Sequence, residues 1–294
     1  MDLFPGLLIN TAAASTEKLE LPVLDKHDVE LWLLRLDKIH PVISGNKWFK
    51  LKYHLLQAQQ DHAAGLLTVG GAYSNHIIAL ACAAHELGWK STGIIRGERP
   101  PVLSHTLQEA LALGMQLEFV SRDNYKNNAS SGAGMQWNEK YPGYYYVPEG
   151  GGGPLGIKGS CEILGLVEKE RFSHILCAIG TATMYQGLLD SALPGQQVIG
   201  VPVLKGGDKL PFDHIQTSYH FGGYARKNTV LLEFMNRFYT QTRISTDFVY
   251  TGKLLFATLD LVEKGYFPRG SRLLAIHSGG LQGNRSLPEG ILLF

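Results

Sequence analysis

The chain has 294 residues, of which 45% are hydrophobic and 18% charged, and its formal net charge is +1. This length suits one large domain or two ordinary ones, and no stretch approaches the ~20 apolar residues that span a bilayer. The balanced charge gives no reason to expect binding to nucleic acid or to anionic membranes, so we expect a small neutral or zwitterionic partner.

The first ten residues, MDLFPGLLIN, lack the basic segment and the long apolar run of a secretory signal. We therefore expect a cytoplasmic protein. Three cysteines lie inside apolar periodic segments, without CxxC or Cys/His spacing: Cys82, Cys161 and Cys177. We expect them to be reduced packing residues, and we expect no bound metal.

The segment SGNKWFKLKYHL begins at Ser44 and predicts a helix, because its apolar residues recur at helical spacing. Lys47 and Lys50 are three residues apart and therefore share one face of that helix. A lysine that forms a Schiff base must be partly desolvated, and a second cation nearby favours its neutral amine and can also hold a phosphate. The alternative is a basic helix start whose lysines are ordinary surface charges.

From residue 66 onward, short apolar runs alternate with amphipathic ones, which is typical of βαβ units around a parallel sheet. The predicted strands are 66–69, 92–95, 117–120, 144–147, 174–178, 198–203 and 273–276. The predicted helices are 77–87, 104–113, 157–167, 184–193, 230–239 and 253–264. Gly88 and Gly114 stand just past predicted helix ends, where a residue with positive φ commonly terminates a helix. Ser74 and Ser104 can cap the starts of helices.

The turn TVGGAYSNH, residues 68–76, directly follows a predicted strand and precedes a predicted helix, which is where open α/β sheets bind ligands. Gly70 and Gly71 permit a sharp turn, while Ser74 and Asn75 supply hydroxyl, amide and N–H groups at the helix start. Such a turn suits a carboxylate. The alternative is a capped helix after a tight turn, with no ligand.

The run PEGGGGPLG, residues 148–156, predicts a hinge or crossover after the polar segment 121–143. The pattern predicts an α/β protein of two open, twisted parallel-sheet domains with a ligand cleft between them. We expect residues 1–50 with 151–294 to form the larger domain and residues 51–150 the smaller one.

Another turn, IGTATMYQGLL, follows the predicted strand 174–178 and places Gly180, Thr181 and Thr183 before a helix that begins near Met184. Backbone N–H groups at such a helix start can hold a phosphate dianion. The turn matches neither GxGxxG nor a P-loop, so a nicotinamide or nucleotide enzyme is not favoured.

Taken together with SGNKWFK, these segments resemble the pyridoxal-phosphate enzymes of the 1-aminocyclopropane-1-carboxylate deaminase and D-cysteine desulfhydrase family. The longest similar stretch is DFVYTGKLLFATLDLVEKGYFPRGSRLLAIHSGG, residues 247–280. The resemblance implies the tryptophan synthase β-like fold, pyridoxal 5'-phosphate as cofactor, a small amino acid as substrate and a homodimer. Tyr73, Thr183 and Met184 depart from the family's usual residues.

The resemblance also implies a role for each site residue. Lys47 would hold the cofactor as a Schiff base, Asn75 would contact its phenolic oxygen and Thr251 its pyridine nitrogen. The phosphate would be bound by Lys50, Gly180, Thr181, Ala182, Thr183 and Met184. The substrate would be bound by Ser74, Asn75, His76 and Ser278, with Ser74, Tyr250 and Tyr224 also assigned to catalysis.

Two positions distinguish the activities within this family. Thr251 stands where the deaminases carry Glu and the desulfhydrases Thr, and Ser278 stands where the deaminases carry Leu and the desulfhydrases a small hydroxyl residue. A neutral hydroxyl makes the pyridine ring a weaker electron sink than a carboxylate would, which suffices when a thiolate leaves. We therefore expect a D-cysteine desulfhydrase-like elimination. The alternatives are 1-aminocyclopropane-1-carboxylate ring opening and a catalytically silent binding protein that kept the fold.

Overall fold

A computed structural model describes residues 4–130 and 135–294, and the chain divides into two compact units. Unit 1 comprises residues 1–9 and 40–159, and unit 2 comprises residues 10–39 and 160–294. Residues 40–50, which carry Lys47, group with unit 1 in this division. The predicted domains, 1–50 with 151–294 and 51–150, stay a prediction. No helix in the described part of the chain has the length and hydropathy needed to cross a bilayer.

Unit 1 contains a four-stranded parallel sheet in the order β5-β4-β3-β6. Its strands are β3 (Gly65–Gly70), β4 (Ser91–Arg96), β5 (Gln116–Val120) and β6 (Tyr144–Val147). Its helices are α2 (Asn46–Gln60), α3 (Asn75–Glu86), α4 (His105–Ala112), α5 (Arg122–Ser130), α6 (Met135–Lys140) and α7 (Gly153–Ser160). Every residue of β3 is buried, as expected for the inner strand of a parallel sheet covered on both faces.

Unit 2 contains a five-stranded sheet in the order β1-β2-β9-β7-β8, in which only β1 runs antiparallel to its neighbour. Its strands are β1 (Thr16–Lys18), β2 (Glu30–Arg35), β7 (His174–Ile179), β8 (Gln197–Pro202) and β9 (Arg272–His277). Its helices are α1 (Pro22–His27), α8 (Thr183–Ser191), α9 (Thr229–Thr242) and α10 (Thr251–Glu263). Leucine, valine and phenylalanine side chains of the strands, α9 and α10 form its core.

The predicted alternation is confirmed, since each predicted strand from residue 66 onward lies within two residues of an observed one. The predicted helix 157–167 is wrong in its bounds, because α7 ends at Ser160 and a 3-10 helix, Cys161–Leu166, follows. A Cβ added at Gly187 of α8 would lie 2.5 Å from Cβ of Ser160. Helix α8 therefore packs closely against the point where α7 ends and the 3-10 helix begins. The elements β1, α1, β2, α5 and α6 were not predicted from the sequence.

His40 and Cys82, which are buried, and the partly buried Glu86 form a polar cluster in unit 1 whose spacing would also suit a metal ion. The backbone N–H groups of Val42 and Ile43 donate to His40 Nδ1 at 3.1 and 2.8 Å. His40 Nε2 therefore carries the proton and donates to Glu86 Oε1 at 3.2 Å. A metal ligand would need a lone pair on that nitrogen, so the cluster is arranged for hydrogen bonds.

Cys82 is expected to resist alkylation in the folded protein. Burial, together with Glu86, which accepts its S–H at 3.3 Å, raises the pKa of the thiol to about 12. Since only the thiolate reacts, iodoacetamide at pH 8 should label Cys82 at least ~100-fold more slowly than in urea-unfolded protein, as followed by mass spectrometry. Equal labelling rates in the two states would contradict the hydrogen-bonded cluster.

Candidate active site

Helix α2 places both predicted lysines of unit 1 where the spacing indicated. Lys47 is half-buried, and its Nζ donates to Asn46 Oδ1 at 2.8 Å. Lys50 is only 5% exposed, so it is not one of the surface charges of the alternative interpretation. A Cβ added at Gly151 would lie 2.9 Å from Lys50 Cβ, so the glycine run approaches this helix as closely as backbone can.

The turn between β3 and α3 has the predicted form. The backbone N–H groups of His76 and Ile77 donate to Ser74 Oγ at 3.3 and 3.4 Å, which confirms Ser74 as the helix cap. A Cβ added at Gly70 would lie 2.7 Å from Ile77 Cγ1, so only glycine fits where the strand turns into the helix. Asn75 Oδ1 is buried without a hydrogen-bond partner among the described residues. Such an atom is satisfied when a ligand supplies the partner.

His76 is a buried neutral imidazole whose tautomer is set by Thr68. Thr68 Oγ1 donates its one proton to Val147 O at 2.8 Å, so His76 Nε2, also 2.8 Å from Thr68 Oγ1, must donate to that hydroxyl. Burial, with the positive charges of Lys47 and Lys50, holds the pKa of His76 well below its ordinary value. The remaining nitrogen, Nδ1, is therefore an acceptor, and it has no partner in the described chain. This side chain is suited to accept a hydrogen bond, whereas a carboxylate needs a donor.

In unit 2, the turn between β7 and α8 places alanine, a residue without a polar side chain, at the N-cap of the helix. Ala182 precedes α8 with φ of 59°, and it makes no side-chain cap hydrogen bond. Thr181 Oγ1 and Thr183 Oγ1 are 3.1 Å apart, at the start of the helix. Met184 is 2% exposed, so its side chain belongs to the core and only its backbone can bind a ligand. Gly180 lies against Tyr250, because an added Cβ would be 3.2 Å from Tyr250 Cε1.

Asp247, whose role was not predicted from the sequence, fixes the start of α10. Its carboxylate is fully buried and accepts backbone N–H groups from Val249, Tyr250 and Thr251 at 2.8 to 2.9 Å. Tyr250 and Thr251 therefore have defined backbone positions before any ligand binds. The available signal was an aspartate shortly before an apolar helix, which is typical of a capping residue.

A fully buried lysine anchors the loop that carries Tyr224. Lys253 Nζ donates to His220 O and Gly223 O, both at 2.8 Å, and burial lowers the pKa of Lys253 to about 8. The ring of Tyr224 packs edge-on against Tyr250 with centroids 6.2 Å apart. The predicted pair of tyrosines therefore lies together in unit 2. Lys253 was missed because nothing local in the sequence indicates its loop contact.

Ser278 follows β9 and is 8% exposed, at the start of a turn in which Gly279 and Gly280 have φ of 75° and 90°. Residues with side chains rarely adopt such angles. The backbone of the turn is thus specified by glycine, which holds the serine hydroxyl at the carboxyl end of the strand.

Thr251 is fully buried, and its Oγ1 has no hydrogen-bond partner within the described residues. In each unit taken by itself, buried polar atoms of this kind are satisfied when a polar ligand binds: Asn75 Oδ1 and His76 Nδ1 in unit 1, and Thr251 Oγ1 in unit 2. Unit 1 carries the Lys47 amine and the turn between β3 and α3. Unit 2 carries the turn between β7 and α8, the two tyrosines and the buried Thr251 hydroxyl.

Replacing Thr251 with valine is expected to separate ligand binding from stability. Valine removes a buried hydroxyl that makes no hydrogen bond to any described residue. The unfolding free energy of the cofactor-free variant should therefore stay within about 0.5 kcal/mol of the wild-type value. Cofactor affinity, followed by absorbance titration, should fall about tenfold. Thr258→Val is the matched control, because Thr258 Oγ1 donates to Leu254 O within the same helix. It should lower stability by about 1 kcal/mol and leave cofactor affinity unchanged; the reverse pattern would contradict the assignment.

A family model described as pyridoxal-phosphate dependent enzyme matches residues 9–203. The mitochondrial bifunctional D-cysteine desulfhydrase/1-aminocyclopropane-1-carboxylate deaminase of Arabidopsis thaliana is 28% identical over 295 residues, which cover 86% of this chain and 73% of that protein. A D-cysteine desulfhydrase of Yersinia pestis (strain Pestoides F) is 26% identical over 311 residues, which cover 94% of each chain.

Solved structures give the same fold. An ACC deaminase homologue matches with a TM-score of 0.78 at 23% sequence identity, covering 95% of this chain and 92% of its own. O-ureido-L-serine synthase matches with a TM-score of 0.68 at 16% identity, covering 96% and 95%. At these identities the likeness shows the fold alone, which is the predicted pair of α/β domains with parallel sheets of the tryptophan synthase β-like class.

Proposed function

The chain belongs to the family of pyridoxal-phosphate dependent enzymes, and from that premise we propose that it eliminates the β-substituent of a small amino acid in the manner of a D-cysteine desulfhydrase. The products from D-cysteine would be pyruvate, sulfide and ammonia. One observation carries the choice of reaction: the side chain at the start of α10 that is assigned to the pyridine nitrogen is a buried hydroxyl, Thr251, and not a carboxylate.

The residues of each unit, taken by itself, fit one part of the cofactor. Lys47 would hold it covalently, Asn75 would contact its phenolic oxygen and Thr251 its ring nitrogen. The phosphate would be held by Lys50 and by the residues around the start of α8, which are Gly180, Thr181, Ala182, Thr183 and Met184. When bound, the cofactor supplies an electron-accepting ring that stabilises negative charge at the substrate Cα.

The chain's own side chains then handle binding and protons. Once displaced by the substrate amine, the Lys47 amine is the natural base for the Cα proton. Ser74 is proposed to bind the substrate carboxylate, and Ser278 to contact the substrate near its β-substituent. Tyr250 and Tyr224 are proposed to donate or accept a proton near the leaving group, with the tyrosine loop held by Lys253.

The hydroxyl at position 251 favours a reaction with a good leaving group. A carboxylate in its place would hold the pyridine nitrogen protonated and strengthen the electron sink, whereas Thr251 offers only a hydroxyl. A thiol has a parent pKa of ~8.5, so a thiolate leaves without such assistance, while breaking a carbon–carbon bond needs a stronger electron sink. Thiol elimination is therefore preferred over ring opening.

The second candidate is 1-aminocyclopropane-1-carboxylate deamination, which gives 2-oxobutyrate and ammonia. The Arabidopsis relative is named for both activities, which favours considering both here. A third possibility, a silent binding protein, is motivated by Tyr73, Thr183 and Met184, which depart from the family's usual residues.

The deciding experiment offers D-cysteine, L-cysteine and 1-aminocyclopropane-1-carboxylate separately to the purified, cofactor-loaded enzyme. Pyruvate, sulfide and 2-oxobutyrate are measured. We expect pyruvate and sulfide in equal amounts from D-cysteine, and little 2-oxobutyrate. Robust 2-oxobutyrate formation without sulfide would replace the proposal by ring opening. No turnover of any of the three would favour the silent protein.

A further inference from the structure

Unit 1 has an open cavity of about 600 Å³ at the carboxyl ends of three parallel strands, β3, β4 and β5. Its lining includes Ala72 and Tyr73, which belong to the turn that carries Ser74. Ser104 at the far side donates its hydroxyl to Ala72 O, so the loop after β4 is bound directly to that turn. The cavity thus begins one residue from the proposed carboxylate site, within the same unit.

Two guanidinium groups give this cavity a positive character. Arg96 ends β4 and Arg122 begins α5, and both line the cavity, whose one acidic lining residue in the described chain is Glu98. Arg96 packs over the Tyr125 ring at 5.6 Å and lies 3.8 Å from a Cβ added at Gly71, directly against the glycine turn. No ion pair or hydrogen bond ties Arg96 to another described residue.

The helix ends around the cavity add to this field. Ser104 Oγ caps α4 by accepting from Leu107 N at 3.3 Å, and Ser121 Oγ accepts from Asn124 N at 3.2 Å at the start of α5. The N-termini of both helices therefore point their partial positive charge toward the end of the sheet that the cavity occupies. The two helix N-termini therefore add to the positive potential that the arginines create in the cavity.

The remaining wall is apolar and larger than a cysteine side chain requires. Ile95, Val102 and Phe119 line it, together with Tyr73, which is 53% exposed. Cavities of ~300–1,000 Å³ hold whole drug-sized ligands, so a CH₂SH group would leave most of this one vacant. An apolar wall with arginines at its end suits a ligand whose side chain is a few atoms long and carries an anionic group at its tip.

We propose that the preferred substrate is an α-amino acid whose β-substituent carries a second acidic group, a sulfonate, phosphate or carboxylate, bound in this cavity by Arg96. This inference rests on the proposed elimination and names its substrate class. The Cα proton passes to Lys47, and the bond from Cβ to the substituent breaks with its electron pair leaving on the substituent. The unsaturated amine that remains hydrolyses with one water to a keto acid and ammonia.

The test compares substrates that share the amino-acid head and differ in the tail. S-methyl-D-cysteine is the uncharged reference, and S-sulfo-D-cysteine, O-phospho-D-serine and S-carboxymethyl-D-cysteine carry the three kinds of anion. We expect kcat/KM, measured by keto acid release, to be about tenfold or more higher for at least one anionic substrate, since a charge-assisted hydrogen bond contributes that much. The anion that gains most identifies the acid group.

Arg96→Met should remove most of that preference and leave S-methyl-D-cysteine within about twofold of wild type. Arg99→Met is the matched control, because Arg99 stacks on Phe119 at 5.5 Å in the same loop but does not line the cavity. It should retain the preference.

Two kinetic results would overturn the inference while leaving the proposed elimination intact. An equal loss for all four substrates in Arg96→Met would mean that Arg96 holds the α-carboxylate that they share. Wild-type enzyme without any preference for anionic tails would mean that the cavity does not select substrate. Calorimetric titration of the same compounds supplies a readout independent of turnover: the anionic compounds should bind about tenfold more tightly than the S-methyl compound, and only when Arg96 is present. Equal affinities would reject the inference even if no compound were turned over.

Discussion

Replacing Lys47 with alanine is expected to lower the elimination rate at least ~10³-fold and to remove the visible absorption of a lysine-linked cofactor. The residue combines the covalent attachment point with the proposed base for the Cα proton, so its loss removes two contributions at once. Absorbance spectra of cofactor-loaded wild type and variant, with keto acid assays on the same samples, measure both effects.

The control for Lys47 lies on the same helix. Lys52 packs over the Tyr53 ring at 5.3 Å and has no assigned role, so Lys52→Ala should keep both the spectrum and the rate within about twofold. A wild-type protein that stays colourless after incubation with pyridoxal 5'-phosphate would exclude Lys47 as the attachment point. So would an alanine variant with an unchanged spectrum.

Replacing Asp247 with alanine is expected to cost about 3–5 kcal/mol of the free energy of unfolding, because three buried backbone N–H groups lose their common acceptor. The same change releases the turn that fixes Tyr250 and Thr251, so cofactor affinity should fall as well. Urea unfolding followed by circular dichroism and absorbance titration measure the two effects.

Asp208 provides the comparison for Asp247, since it is exposed in unit 2. Asp208→Ala should change the unfolding free energy by no more than about 0.5 kcal/mol. If Asp247→Ala were equally mild, the buried carboxylate would not be the main anchor of the 247–251 turn, and the placement of Thr251 would need another cause.

Much of the fold was predictable because its signals are local. Buried runs such as β3 and glycines at helix ends, such as Gly88 and Gly114 with φ of 68° and 84°, depend on neighbours in sequence. By contrast, β2 is identified by its pairing with β9, far along the chain, so periodicity within a window did not reveal it. The 3-10 helix after α7 likewise depends on the approach of α8.

The site residues likewise divide into those set by local sequence and those set by contacts that are distant in sequence. The spacing of Lys47 and Lys50 and the capping by Ser74 follow from helix geometry, and both were predicted. The acceptor character of His76 was not, because it requires knowing that the Thr68 hydroxyl already donates to Val147 O. Lys253 was missed for a similar reason, since its acceptors lie 30 or more residues earlier in the chain.

The order of strands in unit 2 has a consequence for synthesis. β2 ends at Arg35, and β9, the parallel neighbour that covers its long edge, begins at Arg272, about 240 residues later. At ~5–20 residues per second, the ribosome needs roughly 10 to 50 s to make that partner. During this time residues 40–159 emerge as one continuous piece and have all four strands of their own sheet. Until β9 is made, the leucines of β2, which are fully buried in the finished protein, lack the parallel strand that covers this edge, and such edges favour aggregation.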